Sequence, residues 1–299
     1  MVYALAVGAA VLLGVGSAIQ QRAASRAPAG TALHLALLWY LVRQPMWLAG
    51  IAAALVGNIL AGIALGIGGV TLVEPLLATG LLFALATAAI WSRYRLGRQE
   101  WAGAVAVVTG LTAFLVAGEP EPGNRTDAPG WEWALAAGSI GLLTAALVAL
   151  ARRLRPRQEA PVLGAGAGML FGLQAALTST AVPRLLGRGV LAMLLSWAPY
   201  AVAATAVLGT LLAQSAYKLA PLPVSYPPIA AVEPLTGIAI GVGVLGARLR
   251  LTPLALTIEI VGLAVMTAGV YTLAAGRSVE TCHRRGARHA WDRPHRGVR

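Results

Sequence analysis

Two glutamates are the residues of this chain best placed to do chemistry, because each lies in a long apolar run beside a proline. They belong to two copies of the tetrapeptide Val-Glu-Pro-Leu, at 73–76 and 232–235. A carboxylate within hydrocarbon is costly and usually functional, and a low dielectric favours its neutral form, so such a group can exchange protons. The adjacent proline frees a carbonyl one turn back for a cavity or ligand. The pattern predicts a substrate- or proton-coupling site at four residues: Glu74, Pro75, Glu233 and Pro234.

The two tetrapeptides are part of a longer internal repeat. A second set of markers keeps the same offset of 159 residues: Glu100-x-x-Gly103 and Gly110 match Glu259-x-x-Gly262 and Gly269. Three markers in one register without a gap indicate a duplicated fold, with a site where the copies meet. We therefore predict one transmembrane domain over 1–276, made of repeat one (about 1–118) and repeat two (about 131–276). A basic tail at 277–299 follows and is predicted to be disordered and cytoplasmic.

Composition predicts a membrane protein. Of the 299 residues, 58% are hydrophobic and 11% are charged, with a mean hydropathy of +0.74, whereas ordinary soluble domains carry about 25% charged residues. The net charge of +12 comes from 22 arginines and one lysine, found mainly in short loops and the tail. This placement is typical of the positive-inside bias of membrane proteins, so we expect a lipid bilayer as partner and no nucleic acid.

The apolar stretches predict an all-α polytopic membrane protein of about ten transmembrane helices. A short tenth stretch, 30–42, is either a short transmembrane helix, which we favour, or an interfacial one. The nine stretches of full length are 2–20, 45–65, 68–91, 99–117, 132–151, 161–182, 190–213, 223–246 and 252–275.

Charges in two loops predict the orientation. The segment 118–131 holds three acids against Arg125 and is expected outside, whereas the loop at 152–157 holds four arginines and is expected in the cytoplasm. The C-terminus then falls in the cytoplasm, and we predict a multi-pass protein of the plasma membrane. Ten spans would place the N-terminus inside and nine would place it outside. The helices that carry Glu74 and Glu233 run in opposite directions in either case, which makes the repeat inverted, as in many secondary transporters.

The second repeat resembles a known family at its penultimate helix. The run Ala-Ala-Val-Glu-Pro-Leu at 230–235, continuing to Leu-Gly-Ala-Arg-Leu at 245–249, is similar to the EamA repeat of the drug/metabolite transporter superfamily. Gly262 and Gly269 resemble the glycine-spaced helix that closes such a repeat. Ala247 stands where the family's turn often has glutamate. The resemblance implies ten helices and transport by alternating access.

The first repeat is also similar to the magnesium-transporter branch of that superfamily, the NIPA type. The similar stretches are Gly-Val-Gly-Ser at 14–17, Gln-Gln-Arg at 20–22 and Val-Thr-Leu-Val-Glu-Pro-Leu at 70–76. This branch implies nine helices. Neither resemblance fixes a substrate.

Further polar residues within the apolar stretches are expected either to bond neighbouring helices or to line a cavity. For Glu259 we favour pairing with Arg248 or Arg250 at the outer rim over a place in the cavity lining, whereas its repeat mate Glu100 is expected at the cytoplasmic interface beside Trp101. The proline-rich run 221–228 is expected to make a broken helix or a simple loop. The candidate cavity-lining residues are Gln20, Asn58, Gln174, Thr178, Gln214, Tyr217 and Glu259.

These observations favour a secondary transporter that moves a small solute by alternating access. The mode of transport that we favour is proton-coupled export of a metabolite or drug. The alternatives are divalent cation transport, magnesium above all, and a non-transporting membrane scaffold. The sequence lacks a phosphate-cradling glycine loop and a nucleophile–base pattern, so we expect neither an enzyme nor a cofactor. The histidines and Cys282 of the tail match no zinc spacing, so no metal is predicted. A homodimer is left open.

Overall fold

The computed structural model describes residues 1–92, 96–120, 123, 125, 128–250 and 252–275. These residues form eleven helical segments: α1 (Val2–Ala24), α2 (Leu35–Leu41), α3 (Pro45–Gly68), α4 (Val70–Ala78), α5 (Gly80–Ser92), α6 (Arg98–Gly118), α7 (Gly130–Ala151), α8 (Pro156–Leu194), α9 (Ala198–Leu219), α10 (Leu222–Gly243) and α11 (Pro253–Ala275). The predicted tail, 277–299, lies outside the described residues.

The predicted class, an all-α polytopic membrane protein, is confirmed. Eight stretches in the described residues are long and apolar enough to cross a bilayer, one of them Leu72–Trp91, which joins α4 and α5. Helix α10 has the length of a span, 22 residues, but is less apolar than those eight because it contains Glu233 and four prolines. With α10 included, nine stretches of the described residues, here called rods, have the length to cross a bilayer.

The short tenth helix is present but does not span. Helix α2 has seven residues, and at 1.5 Å per residue it extends about 10 Å, a third of the hydrocarbon thickness. It carries Leu37 and Leu41 on a buried face and exposes Leu35 and Trp39. These features fit the interfacial alternative, so the favoured interpretation of 30–42 as a short transmembrane helix is wrong.

Two predicted boundaries in repeat two also differ from the structure. The loop expected between 182 and 190 is helical, because α8 continues for 39 residues to Leu194. Helix α9 then begins at Ala198 and ends at Leu219 instead of covering 190–213. The proline-rich run makes neither a loop nor a break, since α10 begins at Leu222 and continues through Pro227 and Pro228.

The contact between α6 and α11 shows that these repeat mates run in opposite directions. A Cβ at Gly103 would lie 3.1 Å from the carbonyl oxygen of Gly269, and one at Gly110 would lie 2.5 Å from that of Gly262. As the residue number rises along α6, that of its neighbour in α11 falls, so the helices are antiparallel. Gly262 is the repeat mate of Gly103, and Gly269 is the repeat mate of Gly110. Each glycine of α6 therefore packs on the repeat mate of the other α6 glycine, which is the relation expected of an inverted repeat.

A glycine ridge on α8 holds α10, the helix that carries Glu233. Cβ atoms at Gly164, Gly168 and Gly172 would meet the carbonyl oxygens of Ser225, Ile229 and Glu233 at 2.8, 2.9 and 2.5 Å. Helix backbones approach this closely only where side chains are absent. The ridge therefore serves helix contact and fixes the backbone of Glu233 itself.

The two ends of the bundle differ in charge. At the first, here called the arginine-rich end, Arg22 Nη1 donates to the carbonyl oxygen of Trp91 at 3.1 Å. The loop that holds the arginines at 152–157 follows α7 at this end. At the other, here called the acidic end, the ion pair Arg250–Glu119 measures 2.6 Å. Nine rods place the start of α1 at the acidic end and the end of α11 at the arginine-rich end.

Candidate functional site

Glu74 and Glu233, on helices of different repeats, lie within electrostatic range of each other. Glu233 is the twelfth residue of α10, and Glu74 follows a sharp junction at Gly69, whose φ of 72° separates α3 from α4. Glycine adopts this φ at little cost, which lets α4 enter the bundle beside the end of α3. Both glutamates are partly buried, and the charge of Glu74 acts on Glu233. Neither forms an ion pair with any residue that the structure describes.

Two tyrosines and a serine extend this acidic pair toward the arginine-rich end. The rings of Tyr217 and Tyr226 lie 6.5 Å apart at an angle of 53°. Ser17 of α1 lies near both tyrosine hydroxyls, and both hydroxyls lie within electrostatic range of Glu233. Ser17 itself donates to the carbonyl oxygen of Leu13 at 2.9 Å. We refer to the five residues Ser17, Glu74, Tyr217, Tyr226 and Glu233 as the polar cluster.

A buried pair of amides lies beside the cluster and links the two repeats. Gln214 Nε2 donates to Gln20 Oε1 at 2.7 Å, and Gln20 Nε2 donates to the carbonyl oxygen of Gly50 at 3.4 Å. Gln214 is 1% exposed, and its Oε1 finds no partner among the described residues. Gln21 adds a donor by bonding the carbonyl oxygen of Tyr217 at 3.4 Å. Helices α1, α3 and α9 are thus tied together next to Tyr217.

The remaining predicted lining residues do not all join this group. Gln174 keeps a buried Oε1 without a partner in the described part of the chain. Thr178 donates to the backbone carbonyl of Gln174 at 2.8 Å, a bond within its own helix. Asn58 is exposed on the outer side of α3 and therefore lies apart from the cluster.

The predicted pairing of Glu259 is wrong. Arg250 instead pairs with Glu119, and Glu259 is 7% exposed with its Oε1 unpartnered among the described residues. Its carboxylate packs against Gly118 at the end of α6. The repeat mate Glu100 is 1% exposed, more deeply enclosed than the interfacial position predicted for it.

Sequence reasoning missed the roles of Ser17 and Tyr226. A serine or tyrosine inside an apolar run is common in membrane helices, and neither has a counterpart in the repeat register that revealed the glutamates. Tyr226 lies within the proline-rich run, one turn before Ala230 on the helix that carries Glu233. Its helical spacing from Glu233, seven residues, is the signal that would have found it.

Most of the buried side-chain atoms that lack a hydrogen-bond partner among the described residues are acceptors. Two carboxylates lie in the polar cluster, and the side-chain oxygens of Gln174 and Gln214 are buried without donors among the described residues. Within the same residues, no group of three or more His, Cys, Asp and Glu side chains is arranged to hold a metal ion. The arrangement is suited to take up protons or to bind a donor-rich, positively charged group.

These features define a helical membrane protein with a polar cluster between inverted halves. The chain is 30% identical over 276 residues to a Corynebacterium glutamicum protein whose name describes it as uncharacterized, an alignment covering 91% of this chain and 93% of that protein. It belongs to the same family as that protein. No family model matches the chain, and no solved structure matches it.

Proposed function

We propose that the chain is a secondary transporter that moves a small solute by alternating access, with protons as the coupling ion. The observation that carries this proposal is that Glu74 and Glu233, equivalent acids of two inverted repeats, lie within electrostatic range of each other in the bundle. Inverted repeats with a site near their interface are the usual construction of secondary transporters. The resemblance to EamA repeats of drug/metabolite transporters supports the same function.

Proton coupling follows from the surroundings of the acids. Two carboxylates in a region of low dielectric disfavour each other's charge, and no described cation neutralises either one. Protonation of one removes the repulsion, and a bound cation removes it equally well. A site that holds either protons or a cationic solute, but not both, exchanges one for the other.

The solute we propose is therefore positively charged and donates hydrogen bonds, as an organic amine does. Tyrosine rings attract cations through their faces, and both Tyr217 and Tyr226 lie within range of Glu233. A carboxylate solute would meet two acids and no described cation in the cluster. Export of an amine metabolite or drug in exchange for protons fits these conditions.

The charge distribution supports an orientation in the plasma membrane. Arginines concentrate at the end that holds the loop at 152–157, and acids at the end that holds Glu119. By the positive-inside bias, the arginine-rich end lies in the cytoplasm. With nine rods, the N-terminus then lies outside and the C-terminus inside.

Flux into proteoliposomes tests the proposal. Purified protein is reconstituted, a pH gradient is applied, and uptake of organic amines, neutral metabolites, organic anions and Mg²⁺ is measured against empty vesicles. We expect amine uptake that depends on the gradient. Gradient-independent Mg²⁺ flux would favour the divalent-cation alternative, since two acids within electrostatic range of each other also attract such an ion. Absence of flux for every solute would favour the membrane scaffold.

A further inference from the structure

The connection between α1 and α2, residues 25–34 and here called the strap, is held by the last turn of α9. The Lys218 ammonium donates to the carbonyl oxygen of Pro28 and to Thr31 Oγ1. The backbone N–H of Leu33 donates to Ser215 Oγ at 2.9 Å. Lys218 is the single lysine of the chain, and Ser215 is fully buried beneath the strap.

The same turn of α9 carries the residues that close the polar cluster. Tyr217, next to Lys218 in sequence, packs against Tyr226, and its hydroxyl lies near Ser17. Gln214, next to Ser215, bonds Gln20. Residues of one helical turn thus contact the strap on one side and the cluster on the other.

The strap adopts a conformation that needs these contacts. Leu33 has a φ of 60° and Gly30 a φ of 78°, and the left-handed region is unfavourable for a leucine. Leu33 and Ala27 pack against the apolar core that includes Tyr217 and Ala216. A strained residue persists where its surroundings hold it in place. Loss of the α9 contacts would let Leu33 relax and the strap lift.

We propose that the strap is a gate at the arginine-rich end, latched by Lys218 and Ser215. While latched, it keeps Tyr217 against Ser17 and Tyr226 and so closes the route from this end to Glu233. Release of Lys218 from Pro28 and Thr31 opens that route. The inference rests on the proposed transport function, because it assigns one side of an alternating-access cycle to a named segment.

Accessibility of a cysteine behind the gate tests it without measuring transport. Cys282, the one native cysteine, is replaced by serine, and Ser17→Cys provides the probe. A membrane-impermeant maleimide is applied to the arginine-rich side, and the labelling rate is measured in the parent and in Lys218→Met. A charge-assisted hydrogen bond is worth about a tenfold change in an equilibrium, so we expect Lys218→Met to raise the rate about tenfold.

Matched variants make the result specific. Lys218→Arg keeps a cationic donor and should stay within about twofold of the parent. Arg43→Met removes a cation at the same end that stacks on Trp39 and makes no bond to the strap that the structure describes, and it should not change the rate. Ser215→Ala and Thr31→Val remove the other latch groups and should raise the rate. They also replace Lys218→Met if that variant does not purify as a folded protein.

The gate is wrong if Lys218→Met, Ser215→Ala and Thr31→Val all label at the parent rate, or if the probe labels in none of them. Its failure is separable from that of transport. Faster labelling in the variants with no flux of any solute would keep the gate and reject the transporter. Flux in the parent with unchanged labelling in all variants would keep the transporter and reject the gate.

Discussion

Gly110 of α6 lies against the backbone of Gly262 in α11, so that a side chain on either residue would enter the other helix. A Cβ at Gly110 would be 2.5 Å from the carbonyl oxygen of Gly262, and a Cβ at Gly262 would be 2.7 Å from that of Gly110. This contact joins the two repeats, and Gly103 and Gly269, the repeat mates of Gly262 and Gly110, make the symmetry-related contact. The stability of the bundle should therefore depend on both glycines.

Replacing Gly110 by valine should destabilise the protein. The backbones would have to separate, and overpacking of this kind costs about 1–3 kcal/mol. We expect a lower midpoint of thermal unfolding in detergent. Gly141→Val, at a position with open space around it, is the matched control and should leave the midpoint near that of the parent. Equal midpoints for Gly110→Val and Gly141→Val would refute the close approach of α6 and α11.

Glu74→Gln and Glu233→Gln should each preserve the fold and flatten the pH dependence of transport. Glutamine keeps the shape of the side chain and part of its hydrogen bonding but no longer titrates. The measurement is solute uptake at a series of external pH values. Glu132→Gln, which removes an acid paired with Arg125 at the acidic end, should keep the parent profile. If both cluster variants also keep it, the two glutamates are structural.

Gln214→Leu should destabilise the protein more than a single lost hydrogen bond would suggest. It leaves the buried Gln20 Oε1 without its donor, and an unsatisfied buried group costs about 1–3 kcal/mol. The double variant Gln20→Leu/Gln214→Leu removes both partners and should recover part of the loss. Unfolding midpoints are measured for the parent, the two single variants Gln20→Leu and Gln214→Leu, and the double variant. Together they give the coupling between the two amides. Additive effects would show that the amides do not interact.

The two ends of the bundle should label from opposite sides of the membrane. In a Cys282→Ser background, a cysteine at Arg125, which is exposed at the acidic end, should react with an impermeant reagent applied outside. A cysteine at Ala290 of the tail should react only after the membrane is opened. Labelling of both positions from the same side would overturn the nine-rod arrangement and the inverted repeat.

The sequence was most informative at positions where the two repeats keep identical residues at the same offset. Glu74 and Glu233 could be paired from their shared tetrapeptide and offset, and the glycines of α6 and α11 from the same register. Hydropathy failed at 182–190, because charged and proline residues there suggested a loop whereas α8 continues as a helix to Leu194. The sequence suggested Glu259 as a partner of Arg250, whereas Glu119 forms the ion pair, because the Arg250 backbone N–H donates to the carbonyl oxygen of Gly118 at the end of α6.

The polar cluster needed the structure for a different reason. Ser17 and Tyr226 belong to helices that are far apart in the chain, and only packing brings their hydroxyls near each other. A single hydroxyl in an apolar run has no periodic signature. The strap was likewise invisible, because the bonds of Lys218 run to residues about 190 positions earlier.

The reciprocal contact of α6 and α11 has a consequence for how such a chain arises. The contact between α6 and α11, here called the seam, is made by equivalent glycines of the two halves. The seam is therefore self-complementary. A gene that encoded one half alone, inserted into the membrane in both orientations, would generate two subunits able to form this seam between them. Fusion of two copies then fixes the orientation of each half and frees their sequences to diverge. The strap lies in one half and Lys218 in the other, and the residue that corresponds to Lys218 in the repeat register is Ile59, as such divergence would allow.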